Sequence, residues 1–289
     1  MRANSFCISC LVRRQEERIR NFSDEEKKTE YMREVLKLIS TDDSGLSAPT
    51  LIRDMTEMYR RYWGDPGDME KEKREFNEFL LDMEEQLEAA VRRENDPLEA
   101  ALNYARTGNY IDFTTVKDVS KKGLLELFER QSEKPLDAGE YARFLDDLAK
   151  AKSLVYLTDN CGEIVLDKIV IRILQERYPR LDILVLVRGA AVANDADLPA
   201  AREVGLDRLV PVMGNGSDIA GTDLRDLSRE ARRAVEQADL ILSKGQGNFE
   251  TLHGCGLNIY YLFLCKCDWF LRRFRAKPLE GMFVNERRI

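Results

Sequence analysis

Apolar positions along this chain follow two rhythms. From about residue 15 to residue 140 they recur one helical turn apart. TEYMREVLKLIS (29–40) has that spacing, and so does LIRDMTEMYRRYW (51–63), opened by Ser47, Ala48 and Pro49, a helix-start signature. WGDPGD (63–68) breaks the pattern. EKEKREFNEFLLDMEEQLEAAVRREN (70–95) predicts a long amphipathic helix that ends before Pro97. PLEAALNYARTG (97–108) predicts another that stops at Gly108.

From about residue 149 the rhythm changes. SLVYL, DILVLV, RLVPVM, DLILS and NIYYLFL are short apolar runs that read as strands. EIVLDKIVIRILQERY, LPAAREVGL and TDLRDLSREARRAVEQA lie between them and read as helices. Alternation of this kind predicts parallel βαβ units with right-handed crossovers. Strands that are apolar nearly throughout predict helices on both faces of the sheet. The expected class is therefore α/β with a mostly parallel sheet, divided into a helical N-terminal domain (1–145) and an α/β domain (146–289).

Composition narrows this picture. The chain has 289 residues, with 44% apolar and 34% charged positions, enough to build a sizeable core under well-solvated helix faces. A net charge of −7 argues against a nucleic-acid partner. No apolar run reaches the ~20 residues of a bilayer span. MRANSFCISCLVRRQEERIR has no signal-peptide core, so a cytoplasmic location is expected. Six cysteines are too sparse for a secreted disulfide scaffold.

Ligands of parallel sheets gather beyond the carboxyl ends of the strands. SLVYL leads to Asp159 and Asn160, and DILVLV to Arg188, Gly189, Asn194 and Asp195. RLVPVM leads to Gly214, Asn215 and Ser217, and DLILS to Lys244, Gly245, Asn248 and Glu250. Asp159 and Asn160 suit a turn with a helix N-cap. They equally suit Mg²⁺ or Mn²⁺, which prefer hard oxygen ligands, and Asp195 would then be a third ligand. Lys244 is either solvated or placed for an anion, with flanking glycines that let backbone N–H groups approach it.

Other chemistries are disfavoured. There is no G-x-x-x-x-G-K-[ST], no G-x-G-x-x-G after the first strand of the α/β half, and no G-x-S-x-G. His253 is the single histidine, which rules out multi-histidine metal centres. Cys7 and Cys10 form a C-x-x-C pair. With Cys265 and Cys267 they could complete a zinc set, and equally they could be a redox pair or small helix residues.

DNCGEIVLDK, VRGAAVANDAD and SKGQGNFETL, in this order, resemble the motifs of the DUF89 family of metal-dependent, damage-control phosphatases. GNYIDF (108–113) is similar to a further motif of that family. CISC and the late KC resemble its prokaryotic, cysteine-containing subgroup. The resemblance implies a Rossmann-like three-layer α/β/α domain beside a helical region. It implies a divalent cation (Mg, Mn, Co or Ni) held by Asp159, Asn160 and Asp195, and phosphate contacts from Lys244 and the loop from Gly245 to Asn248. The expected reaction is hydrolysis of a phosphate monoester of a small metabolite, a sugar phosphate or a nucleotide. Glu163 and Glu250 are candidates to orient water, and Asn109 and Asp112 to reach the substrate from the helical region. Arg188, Asn194 and Asn215 are further candidates. A non-catalytic nucleotide- or phosphosugar-binding module and an S-adenosylmethionine-dependent methyltransferase are the competing readings.

Overall fold

Twelve α-helices and a six-stranded, mostly parallel sheet make up the described residues (1–42, 44–116, 118–131 and 135–289) of the computed structural model. Seven helices precede the sheet: α1 (Ser5–Ile19), α2 (Glu25–Ser40), α3 (Ala48–Trp63), α4 (Glu70–Arg93), α5 (Pro97–Gly108), α6 (Lys121–Gln131) and α7 (Ala138–Lys150). Then come β1 (Ser153–Leu157), α8 (Glu163–Arg177), β2 (Asp182–Val187), α9 (Leu198–Glu203), β3 (Val212–Gly214) and α10 (Arg229–Gln237). The chain ends with β4 (Leu240–Lys244), α11 (Gln246–Leu252), β5 (Ile259–Leu264), α12 (Asp268–Phe274) and β6 (Gly281–Asn285).

Local chemistry sets many of these boundaries. The Ser47 hydroxyl accepts the Thr50 N–H and caps α3, whose first turn holds Pro49. Asp96 caps α5 in the same way, with Pro97 as the first helical residue. Two expected elements come out shorter. β3 begins at Val212, because Pro211 has no N–H for a ladder. The segment TDLRDLS does not extend α10. Asp223 accepts the Arg225 N–H at 3.0 Å, and the Asp226 N–H bonds back to the Asp223 carbonyl, so the segment turns. β6 and α12 have no counterpart in the periodicity of the sequence.

The strand order is β3-β2-β1-β4-β5-β6; β1 to β5 run parallel and β6 is antiparallel to β5. Side chains alternate between two apolar layers. Leu154 and Tyr156 of β1, Val185 of β2, Leu242 of β4 and Leu262 of β5 enter one core with α4, α5, α8 and α9. Val155, Leu157, Leu186, Ile241, Tyr261 and Phe263 enter the other with α10, α11 and α12. A fully buried Leu or Phe contributes about 1.5–3 kcal/mol, against about 1 kcal/mol net for a ladder hydrogen bond. The two layers thus outweigh the ladder in holding the sheet. α1, α2 and α3 share a third cluster around Tyr31, Met55 and Tyr59.

α8 is sandwiched between the sheet and α5, and is buried without interruption from Glu163 to Ile171. Gly108 permits the close approach of α5. A β-carbon there would lie 2.5 Å from Leu166 Cδ1. Among the described residues, no helix is long and apolar enough to cross a membrane.

Candidate active site

The order in which strands are added to the sheet reverses between β1 and β4, which opens a crevice beyond their carboxyl ends. The loops after β1 and β2 are stitched together there. Asn160 and Asp195 face each other in an isolated antiparallel bridge. The Asn194 carbonyl accepts the Cys161 N–H at 2.8 Å, and the Asp159 carbonyl accepts the Ala196 N–H at 2.7 Å. Asp159, Asn160 and Asp195, about thirty-five positions apart in the chain, thereby share one rim.

Arg188, at the end of β2, clamps both aspartates. Its Nε donates to Asp195 Oδ2 at 2.5 Å and one terminal nitrogen to Asp159 Oδ1 at 3.2 Å. The other donates to the Gly221 carbonyl and to Asn248 Oδ1. The remaining Asp159 oxygen is taken by two amides: Asn160 Nδ2 at 2.8 Å and Asn109 Nδ2 at 2.9 Å.

Asn109 closes α5 and comes from the helical layer. Its amide also donates to Glu163, and its Oδ1 accepts the Leu264 N–H at the end of β5. Asn194 holds the same layer from the other side. Its Nδ2 donates to Asn160 Oδ1 at 3.0 Å and to the Ile111 carbonyl at 2.8 Å.

Beneath this rim lies a tier of buried charge. Lys244 is wholly buried, and its ammonium donates to Glu163, to Asp167 Oδ1 at 2.8 Å and to the Ala105 carbonyl at 3.1 Å. An ammonium has three N–H groups, so these acceptors saturate it. Tyr156 donates its hydroxyl to the same Asp167 oxygen at 2.6 Å. Burial opposes the charge on Lys244, but Asp167 and Glu163 outweigh it and raise the pKa.

The carboxyls above are pushed the other way. Burial, then Asp195 and Glu163, raise Asp159 to about 8 against the pull of Arg188. Burial also raises Asp195, again opposed by Arg188. Asp167 rises to about 6, through burial and Glu163 and against Lys244. Four buried carboxylates (Asp159, Asp195, Glu163 and Asp167) meet two buried cations, Arg188 and Lys244. Two negative charges are left over, the complement of one divalent ion. Uncompensated buried charge is costly, and the oxygens of Asp159, Asn160 and Asp195 are the hard donors that Mg²⁺ or Mn²⁺ takes. The residues present therefore fit such an ion.

Other residues foreseen from sequence are placed as follows. Gly245 has φ +79°, and a β-carbon there would run into the Asp159 carboxyl, so this position requires glycine. Asn248 is fully buried and ties three loops, donating to the Thr158 and Lys244 carbonyls and accepting from Arg188 and Thr222. Asn215 shapes the loop after β3 by accepting the Gly189 and Ser217 N–H groups. No hydrogen bond among the described residues joins the Glu250 carboxylate to Asp159, Asn160 or Asp195. Burial raises that carboxyl to about 7, opposed by the N-terminal amino group and Arg14. Asp112 accepts from Lys266 Nζ at 2.9 Å.

Lys266 and Asp167 are not among the site candidates of the sequence analysis, although Lys266 stands in the late KC pair and Asp167 in DNCGEIVLDK. Lys266 was within reach, because the strand-end rule, carried one strand further to β5, finds this lysine. Asp167 carries a fainter mark, standing one helical turn after Glu163 on the same face of α8. All six cysteines are free, and Cys7, Cys161 and Cys265 are buried. Among the described residues, no three Cys, His, Asp or Glu side chains converge as a metal-binding group. The two aspartates come with an asparagine instead.

Comparison with known proteins agrees on a single family. The model of the damage-control phosphatase ARMT1-like domain matches residues 3–279. A damage-control phosphatase of Archaeoglobus fulgidus is 28% identical over 275 residues, which is 93% of each chain. A damage-control phosphatase of Pyrococcus horikoshii is 31% identical over 179 residues. That alignment spans 62% of this chain and 61% of the relative, under two thirds of the relative's length. The crystal structure of a DUF89 family protein from Pyrococcus horikoshii superposes with a TM-score of 0.79. It covers 99% of both chains at 23% identity, a likeness of fold.

Proposed function

We propose that this chain, which belongs to the damage-control phosphatase ARMT1-like domain family, is a divalent-metal-dependent phosphatase that hydrolyses phosphate monoesters of small metabolites, sugar phosphates or nucleotides. The observation that carries the reading is the convergence of Asp159, Asn160 and Asp195 on one rim, in a cluster whose four buried carboxylates exceed its two buried cations by two charges. The strand order supports reading residues 146–289 as a Rossmann-like α/β/α unit, with residues 1–145 as its helical partner.

Asp159, Asn160 and Asp195 would hold the cation, Mg²⁺, Mn²⁺, Co²⁺ or Ni²⁺. When bound, it supplies Lewis acidity toward a phosphoryl oxygen. The chain's own groups do the positioning. Arg188 fixes the rotamers of both aspartates. Asn109 and Asn160 together orient the second Asp159 oxygen. Lys244 offsets part of the charge of Glu163 and Asp167 and so lowers the repulsion that an incoming phosphate would meet. Donors fixed before the reaction need no reorganisation when charge shifts, and this is usually the largest single contribution to catalysis.

The test uses chelator-treated protein and a generic aryl phosphate, with Mg²⁺, Mn²⁺, Co²⁺ or Ni²⁺ added one at a time. Phosphate release that requires metal, and that drops by about 100-fold or more in Asp195→Asn, supports the reading. Release that persists in chelator contradicts it. So does silence across a broad panel of phosphorylated metabolites.

A further inference from the structure

The C-x-x-C pair of α1 plays no part in the crevice, yet it meets a thiol from the far end of the chain. Cys7 lies in the first two turns of α1 and is buried; Cys10 follows one turn later and is half-buried. Cys267 is the N-cap residue of α12 and is half-buried. Two contacts set these elements against each other. The rings of Phe6 and Trp269 lie 5.8 Å apart, and the Arg272 guanidinium sits 4.6 Å from the centre of the Phe6 ring. Cys7 follows Phe6 and Cys267 stands just before Trp269, so both thiols come to the same junction. Charge on Cys267 acts on Cys7, and the Glu250 carboxylate acts on both.

Other uses of these thiols fit less well. Residues three apart on a helix hold their β-carbons about 5–6 Å apart, against about 3.8 Å across a disulfide. Joining Cys7 to Cys10 would therefore distort α1. Cys265 is fully buried in the second apolar layer. Among the described residues, no three Cys, His, Asp or Glu side chains converge to hold zinc.

The junction has few polar ties of its own. Asn4 Nδ2 and Trp269 Nε1 are shielded from solvent and have no hydrogen-bond partner among the described residues. α1, α2 and α3 also keep an apolar cluster to themselves.

We propose that a hydroperoxide converts Cys7 and Cys267 into a reversible disulfide that staples the α1–α3 layer to the α/β unit. As its proton leaves, the Cys267 sulfur attacks one oxygen of hydrogen peroxide. The O–O bond breaks, and the released hydroxide takes up that proton as water, leaving a sulfenic acid. The Cys7 sulfur then attacks the Cys267 sulfur. The S–O bond breaks, and the hydroxide departs with the Cys7 proton as a second water. The two thiols lose two electrons and the peroxide gains them. Cys267 reacts first because it is the more open of the two. Gln246 Nε2, at 3.7 Å, and the N–H groups of Phe270 and Trp269 also favour its thiolate. Burial opposes both thiolates and pushes Cys7 up to about 11, so the bond forms slowly, and faster as pH rises.

The experiment treats the full chain with hydrogen peroxide in chelator, alkylates the remaining thiols, and digests with trypsin without reduction. Trypsin cuts after Arg2, Arg13, Lys266 and Arg272, which separates Cys7 and Cys10 (residues 3–13), Cys267 (residues 267–272) and Cys265. Mass spectrometry is expected to find residues 3–13 joined to residues 267–272, and dithiothreitol to release them. The link is expected to survive in Cys10→Ser and to vanish in Cys7→Ser and Cys267→Ser. Tm is read within each variant as oxidised minus reduced, so a destabilised variant is its own control. It is expected to rise by about 5 °C or more in the wild type and in Cys10→Ser, the scale of a long loop closed, and not in Cys7→Ser.

No link after prolonged oxidation overturns the proposal. So does a bond within residues 3–13, or a link to Cys267 that Cys10→Ser abolishes. A Cys7–Cys267 link that leaves Tm unchanged overturns the staple, and a rise in Tm that persists in Cys7→Ser does the same.

Discussion

Asp159 carries the largest demand in the site. Burial, Asp195 and Glu163 raise its carboxyl to about 8, and burial raises Glu250 to about 7 and Asp167 to about 6. Each folded carboxyl holds a proton that the unfolded chain releases at its ordinary value. Its contribution to stability is therefore complete below that ordinary value and fades as pH rises through the folded one. The carboxyls lowered by their partners, such as Asp223 and Glu140, stay ionised between about 6 and 8 and do not mask the trend. Metal-stripped protein is expected to melt at progressively lower temperature as pH rises across that window. A divalent ion held by Asp159, Asn160 and Asp195, as proposed, would replace the protons, so the rise in Tm on adding Mn²⁺ is expected to grow over the same range. Thermal melts at constant ionic strength, in chelator and in Mn²⁺, read both effects; a flat Tm would count against the charge arrangement. At this scale the strand-end rule located Asp159, Asn160, Asp195 and Lys244, because position after an apolar run is a local property. It did not say which way the Lys244 ammonium turns. That depends on Glu163 and Asp167, whose burial requires α5 to cover α8.

α9 shows how an element is tied to the layer above it. Asp197 caps this helix by accepting the Ala200 N–H at 3.0 Å, and its other oxygen accepts from the buried Lys73 of α4 at 2.7 Å. Asp197→Ala removes a cap, worth about 1 kcal/mol, and leaves Lys73 with the half-exposed Glu70 alone. A loss of about 3 kcal/mol or more is expected, the scale of a buried pair cut on one side. Adding Lys73→Met should recover part of it. Urea unfolding of the single and double variants measures this; equal stabilities would show that the pair is inert. Helices with strong local signals were legible in the sequence. α5 runs from Pro97 to Gly108 as read, and α3 begins beside Ser47 and Pro49 as read. β6 and α12 were not, for a physical reason. Each is short, and each is stabilised by neighbours distant in sequence: β6 by its ladder with β5, and α12 by packing Phe270 against Phe249 and Phe263.

Across the whole molecule, one apolar core joins the helical layer to the sheet. Phe76 and Leu80 of α4, Leu102 and Ala105 of α5, and Leu166 of α8 all belong to it. A fragment of residues 146–289 would keep every metal-ligand candidate yet expose the outer face of α8. Without that cover the fragment is expected to bind a hydrophobic dye and to melt without cooperativity, whereas the full chain melts sharply. A sharp calorimetric transition for the fragment would mean that the α/β unit folds alone. This joint core is also what the sequence hid. Periodicity predicts that a helix buries a face, but not which face of which layer receives it. So the arrival of Asn109 at Asp159, across fifty positions of chain, had no local signature beyond the GNYIDF motif. That same bond ties the packing of a helix to the chemistry of the rim. Asn109 stands at the end of α5, so any displacement of that helix from α8 also withdraws a hydrogen bond from Asp159. Whatever loosens the shared core therefore disarms the crevice as well.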